Sequence, residues 1–217
     1  MGKTSFDFSG QVAVVTGASR GIGKGSAEKF AEAGAKAYLI DIDVELGEAA
    51  AAGIRENGGD ATFIDCDLTD SVAVKQMIER IASEAGAIDI FVNCAGGFHQ
   101  QLSMGDTSED EWDAVVDRNL KSVFLTSKYL TPVFEKQNSG CVINLGSMSG
   151  ITTLQPSSPP YAAAKAGVHA LTRVLAYDLG QYRARNHGDR ARHSGALKRT
   201  ARDDRQGHAF GPHRRCG

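Results

Sequence analysis

The chain has 217 residues, 41% hydrophobic and 23% charged, with a formal net charge of −2. That composition suits one globular domain with a substantial core and excludes a fibrous or low-complexity protein. No apolar run approaches membrane-spanning length and the first twenty residues lack a signal-peptide core, so no membrane partner and a cytoplasmic location are expected.

Val12 to Val15 is a short apolar β-branched run, as a buried strand should be. Thr16-Gly17-Ala18-Ser19-Arg20-Gly21-Ile22-Gly23 turns the chain, and a helical pattern (Ile22, Ala27, Phe30, Ala31) runs to Gly34. A glycine-rich turn between a buried strand and a helix aims backbone N–H groups along the helix dipole, which makes a seat for a pyrophosphate. A bland loop closure is the competing reading of the glycines alone.

Ala35 to Ile40 reads as a second strand ending at Asp41, and Val44 to Asn57 as a helix closed by Gly58-Gly59. Ala61 to Cys66 is a third strand, followed by an Asp67–Asp70 loop that caps a helix from Val72 to Ala85. Ile88 to Val92 is a fourth strand leading into Asn93-Cys94-Ala95-Gly96-Gly97. One long helical stretch is predicted from Thr107 through Phe134. A fifth strand, Cys141 to Leu145, ends near Ser147, and Pro159-Pro160 opens a helix from Tyr161 to about Tyr182. Cys66, Cys94, Cys141 and Cys216 have neither zinc-like spacing nor a disulfide framework, and read as small hydrophobes or incidental thiols. No metal site is expected.

Continuously apolar strands alternating with amphipathic helices predict a doubly wound α/β fold, a parallel sheet covered by helices on both faces. Ligands in such sheets sit beyond the carboxyl ends of the strands. Thr16–Gly23, Asp41, Asp67, Asn93–Gly97 and Ser147 all fall on that edge. Asp41 can accept both ribose hydroxyls of an adenosine and repel a 2′-phosphate, which favours NAD over NADP. Arg20 pulls the other way by attracting phosphate, so NADP stays open. Asp67 is placed to meet an adenine edge, with an ordinary turn role as the alternative.

Tyr161 and Lys165 share a helix face. A phenol ordinarily loses its proton near pH 10, and an ammonium beside it stabilises the phenolate and brings proton transfer toward the working range.

With these motifs in order over roughly residues 8–182, the chain resembles a classical short-chain dehydrogenase/reductase. The matching residues are Thr16–Gly23, Asp67-Leu68, Asn93-Cys94-Ala95-Gly96, Asn119-Leu120, Ser147 and Tyr161-Ala162-Ala163-Ala164-Lys165. The resemblance implies hydride transfer between nicotinamide and a secondary alcohol or ketone, the substrate being a small molecule and not a nucleic acid. It implies Tyr161 as general acid or base, Lys165 as its tuning cation and ribose ligand, Ser147 as the hydrogen bond to substrate oxygen, and Asn119 as support for a water. It implies cofactor contacts from Gly17, Ser19, Arg20, Gly21, Ile22 and Gly23 at the phosphates, from Asp41, Asp67 and Leu68 at the adenosine, and from Asn93, Ala95 and Gly96 on the adenosine-ribose side. The resemblance implies homodimers or homotetramers through the two long helices, with assembly expected to be impaired here because a second interface, built from the C-terminal helix and last strand, is missing. A 3-oxoacyl carrier-protein reductase and a polyol or cyclic-alcohol dehydrogenase are both consistent. The serine-to-tyrosine interval is about a residue longer than the family's, and Cys94 stands where a second asparagine is common.

Residues 1–182 thus read as an incomplete dinucleotide-binding and catalytic domain, and 183–217 as a basic tail foreign to it and disordered. The tail holds ten Lys and Arg against three Asp, has no Val, Ile, Met, Trp or Tyr, and carries four of the six histidines. It offers no buried sixth strand. A GC-rich gene read out of frame yields such a composition, and codons permitted for Asp189 to His193 allow Ile-Ala-Pro-Gly one nucleotide later. The sheet is therefore expected to lack its C-terminal strands. A catalytically inactive, dinucleotide-binding pseudo-enzyme is the alternative to a working dehydrogenase.

Overall fold

The computed structural model describes residues 6–98, 100–152 and 158–182, with the backbone of 185–187. Every side chain of β1 (Val12–Thr16) is buried, because the strand runs through the middle of the sheet. β2 (Lys36–Asp41) and β3 (Asp60–Asp65) lie on one side of it, and β4 (Ile90–Asn93), β5 (Cys141–Asn144) and β6 (Arg185–His187) on the other. All pairs are parallel, in the order β3-β2-β1-β4-β5-β6. This is the doubly wound sheet that the sequence predicts, with chain order reversing between β1 and β4.

Alternate strand residues feed two cores. Val12, Val14, Tyr38, Ile40 and Phe91 join Ile78 of α3 (Ser71–Ala85), Leu130 of α5 (Ser122–Gln137) and Leu175 of α6 (Pro159–Leu179). Ala13, Val15, Ala37 and Leu39 join Ala27 and Ala31 of α1 (Gly21–Glu32) and Ala50, Ala51 and Ile54 of α2 (Val44–Glu56). Each large side chain fully buried in this way contributes about 2 kcal/mol.

Local rules set the boundaries. Asp43 accepts from Leu46 N–H at the start of α2, Asp70 from Val72 and Ala73 N–H at α3, and Ser108 from Glu111 N–H at α4 (Glu109–Val116). The fourth strand starts at Ile90, two residues later than predicted. The backbone of Ile88 is taken by the Gln137 side chain instead, whose Nε2 donates to Ile88 O at 2.9 Å and whose Oε1 accepts from Ile88 N–H at 3.0 Å.

Three expectations change. The single helix predicted over Thr107–Phe134 is α4, a wider π-helical turn at Asp117–Lys121, and α5. Ile22, counted in the apolar stripe of α1, is 70% exposed, while Ala27 and Ala31 of the same stripe are buried. The sheet also gains a strand where none is expected, since Arg185, Asn186 and His187 pair with Cys141, Val142 and Ile143 of β5. A parallel ladder is made by main-chain groups, so three residues at the outer end of a sheet can join it without apolar side chains. Residues 183–184 and 188–217 lie outside the described residues, and so does the expectation of a disordered tail.

Candidate active site

Helix α1 starts at Arg20 with no side-chain cap among its contacts, so its first N–H groups face outward for a ligand to use. The turn before it is as tight as the sequence implies. Gly17 sits at φ +65°, and a Cβ there would come within 2.8 Å of the Ala95 backbone. A Cβ on Gly23 would run into the carbonyl of Gly17. Ser19 is buried, donates its N–H to Asp41 Oδ2 at 3.0 Å, and turns its hydroxyl toward the same carboxylate. A tight glycine turn that feeds an uncapped helix start fits a phosphate-bearing cofactor. The exposed side chain of Ile22 stands at the same helix start.

At the end of β2, the Asp41 carboxylate accepts three backbone N–H groups: Ser19 on Oδ2, and Ile42 at 2.8 Å and Asp43 at 3.2 Å on Oδ1. Burial works to raise its pKa, but these N–H bonds and the Ser19 hydroxyl outweigh it and hold the group below the usual carboxylate range. Arg20 reaches past the turn toward Asp43, at 3.9 Å. Asp67 Oδ1 accepts from both the N–H and the hydroxyl of Thr69, each at 2.8 Å, and so shapes its own loop. The Leu68 side chain is buried in the core cluster that includes Val74 and Ile78 of α3.

Past β4 the backbone takes a path few residues could follow. Gly96 and Gly97 have φ of +142° and +136°, and a Cβ on Gly96 would meet Asn119 Oδ1. Asn119 lies in the π-helical turn, fully buried. Its Nδ2 donates to Gly97 O and to Val115 O, both at 2.8 Å, and its Oδ1 accepts from Gly97 N–H at 2.8 Å. Its side chain is therefore committed to positioning this loop. Asn93 is committed as well: Nδ2 donates to Asn144 Oδ1, and Oδ1 accepts from the Thr126 hydroxyl, each at 2.8 Å.

Lys165 is the buried cation of the site, 5% exposed. Its Nζ donates to Leu145 O at 2.8 Å and stands 5.7 Å from the centre of the Tyr161 ring. Burial pulls its pKa down, with the Cys94 thiol opposing. One turn further along α6, His169 Nε2 meets Ser147 O at 3.1 Å, and at the next turn the Thr172 hydroxyl accepts from Asn144 Nδ2 at 2.9 Å. Three residues on one face of α6 thus stitch it to the end of β5. Ser147 heads a short 3-10 turn, Met148–Gly150, where a Cβ on Gly150 would lie 2.6 Å from Ala166 N.

Of the sequence-predicted residues, Asn119 and Lys165 lie beside Gly96, the Tyr161 ring lies near Lys165 Nζ, and Ser147 heads the turn that packs on α6. The Asn93 amide is taken up by Asn144 and Thr126, and the Leu68 side chain is buried. Thr126, Asn144, His169 and Thr172 are the supporting residues that the sequence reading misses. Polar residues inside otherwise apolar strand and helix faces are the available signal for them.

The profile of the short chain dehydrogenase family matches residues 11–187. The chain belongs to that family. Its membership makes it an oxidoreductase acting on CH–OH groups with a nicotinamide cofactor, and the match runs five residues past Tyr182, through β6. Among similar proteins, the 3-oxoacyl-(acyl-carrier-protein) reductase FabG of Staphylococcus aureus (strain Mu50 / ATCC 700699) is 40% identical over 171 residues, covering 77% of this chain and 68% of that protein. The cyclopentanol dehydrogenase of Comamonas testosteroni is 34% identical over 175 residues, covering 81% and 69%. A crystal structure of NAD+-bound xylitol dehydrogenase superposes with a TM-score of 0.79 at 32% identity, covering 82% of this chain and 68% of that one.

Proposed function

We propose that this short-chain dehydrogenase prefers NAD and interconverts a secondary alcohol and its ketone, with Tyr161 as the proton-transferring group. The observation that carries the reading is the buried Lys165 ammonium, held on Leu145 O one helical turn from Tyr161. A bound nicotinamide supplies the hydride acceptor or donor. In the oxidative direction the Tyr161 phenolate takes the hydroxyl proton as the C–H hydride leaves. The Lys165 cation stabilises that phenolate and holds the ribose, and the Ser147 hydroxyl orients the substrate oxygen. Gly17, Ser19, Arg20, Gly21, Ile22 and Gly23 would hold the phosphates, with Asp67, Ala95 and Gly96 along the adenosine side. Asn119 acts through the loop that it fixes.

NAD preference is supported by Asp41, whose charge is held in place by three N–H groups, and by Arg20 turning toward Asp43. An anion there repels a 2′-phosphate. Self-association through α4, α5 and α6 is supported by Trp112, Phe124, Val174 and Tyr177, all exposed on those helices. The test is turnover of NAD with a panel of secondary alcohols. Wild-type activity that falls at least about a hundredfold in Tyr161→Phe supports the assignment, and equal activity in the two overturns it.

A second reading, an inactive dinucleotide-binding chain whose sequence leaves its frame near 183, draws on one feature of β5. Val142 is fully buried, whereas Cys141 and Ile143 on the opposite face are only partly so. The intact mass of the native protein decides here. A value near 23.0 kDa favours the inactive chain, and one several kilodaltons higher favours a complete dehydrogenase.

A further inference from the structure

Phe98 follows the two positive-φ glycines, and its ring lies against that of Tyr161, centroids 4.8 Å apart and planes inclined at 53°. It remains 40% exposed, so one face rests on Tyr161 while part of the ring looks outward. The backbone before it is fixed by the Asn119 bonds to both polar groups of Gly97. Met148 and Ile151, in and at the end of the turn that Ser147 heads, are 65% and 68% exposed. Large apolar side chains left in water beside a cluster of polar groups mark a surface that a ligand covers.

We propose that Phe98 is a specificity-determining residue. It gives the carbon skeleton of the substrate an aromatic wall beside Tyr161 and selects an apolar, ring-bearing alcohol or ketone over a linear polyol. The inference rests on the reading of Tyr161 as the group that meets the substrate oxygen. A polyol carries a hydroxyl on nearly every carbon, and each one pressed against Phe98, Met148 or Ile151 gives up water without a replacement partner. A flat or cyclic hydrocarbon strands nothing and stacks on the ring.

The experiment compares kcat/KM for cyclohexanol and ribitol, with NAD, in wild type, Phe98→Ala and Phe98→Tyr. Cyclohexanol is expected to be preferred by about tenfold or more. Phe98→Ala should lose about tenfold on cyclohexanol, mainly through KM, with less than about a twofold change on ribitol. Phe98→Tyr, which keeps the ring, should retain the preference. Preference for ribitol, or parallel losses on both alcohols, overturns the proposal. Binding of cyclohexanone, followed by saturation-transfer NMR in the presence of NAD, separates it from the reading beneath it. Binding that survives Tyr161→Phe and weakens about tenfold in Phe98→Ala supports the wall even when no alcohol turns over, in which case the catalytic reading fails alone. Absence of binding in wild type overturns the wall.

Discussion

Asn119 closes both ends of its side-chain amide on one residue, donating to Gly97 O and accepting from Gly97 N–H, each at 2.8 Å. The pair is 22 residues apart in sequence, and the bonds bring the π-helical turn against the loop after β4. Asn119→Leu removes both bonds and the one to Val115 O, leaving buried groups unsatisfied. A loss of about 1–3 kcal/mol in urea unfolding is expected, together with faster hydrogen exchange at the Gly97 amide. An unchanged Gly97 exchange rate would show that the clamp does not hold the loop.

The same logic applies beneath the site, where Asn93 and Asn144 bond across neighbouring strands and extend the chain of contacts to Thr126 and Thr172. Asn144→Ala strands an Asn93 donor in the interior. Destabilisation of about 1–3 kcal/mol is expected, and Asn93→Ala combined with Asn144→Ala should cost less than the sum of the two. Additive losses would mean that the two amides act independently.

Asp41 gives the fold an acid-sensitive element. Its carboxyl lies below the usual range in the folded chain, so in acid the unfolded chain binds a proton that the folded chain does not. The stabilisation is present above the ordinary carboxylate pKa of 3.8 and is lost as pH falls through that value toward the lower folded one. Urea midpoints of wild type and Asp41→Asn should therefore differ at pH 7 and converge toward pH 3. A gap independent of pH would count against the three N–H bonds as its source.

Cys66 behaves oppositely. Burial, assisted by Asp67, Asp65 and Asp70, pushes its thiol up from 9.0 to about 11. Because the thiolate is the reactive form, alkylation by iodoacetamide at pH 8 should be about a hundredfold slower in the folded chain than in urea. Peptide mass spectrometry reads this directly, and equal rates would place the thiol in water. As pH rises from 9 toward 11 the folded chain holds this proton more tightly than the unfolded chain, so Cys66 contributes a loss of stability across that window.

The layered fold was legible because β1, β2 and β4 are short β-branched or apolar runs, and burial on both faces leaves such strands no polar alternation. The proximity of Lys165 to Tyr161 was legible because residues four apart share a helix face. The π-helical turn was not. Both of its flanks are helical, and one widened turn leaves the apolar spacing almost unchanged. Nor could the sequence pair Asn93 with Asn144, 51 residues away, because that contact depends on the register between β4 and β5. The strand at Arg185–His187 escaped a reading based on apolar side chains because main-chain groups make the ladder.

The hydrogen on Gly150 has a mechanical consequence. With 2.6 Å between the place of a missing Cβ and the Ala166 nitrogen, the turn that carries Ser147 rests directly on the backbone of α6, with no compressible side chain in between. The serine and the tyrosine–lysine pair therefore ride on one stiff piece, like jaws cut from a single block. A methyl group at 150 would act as a shim, and a displacement of about 1 Å between reacting groups is enough to slow a reaction about a hundredfold.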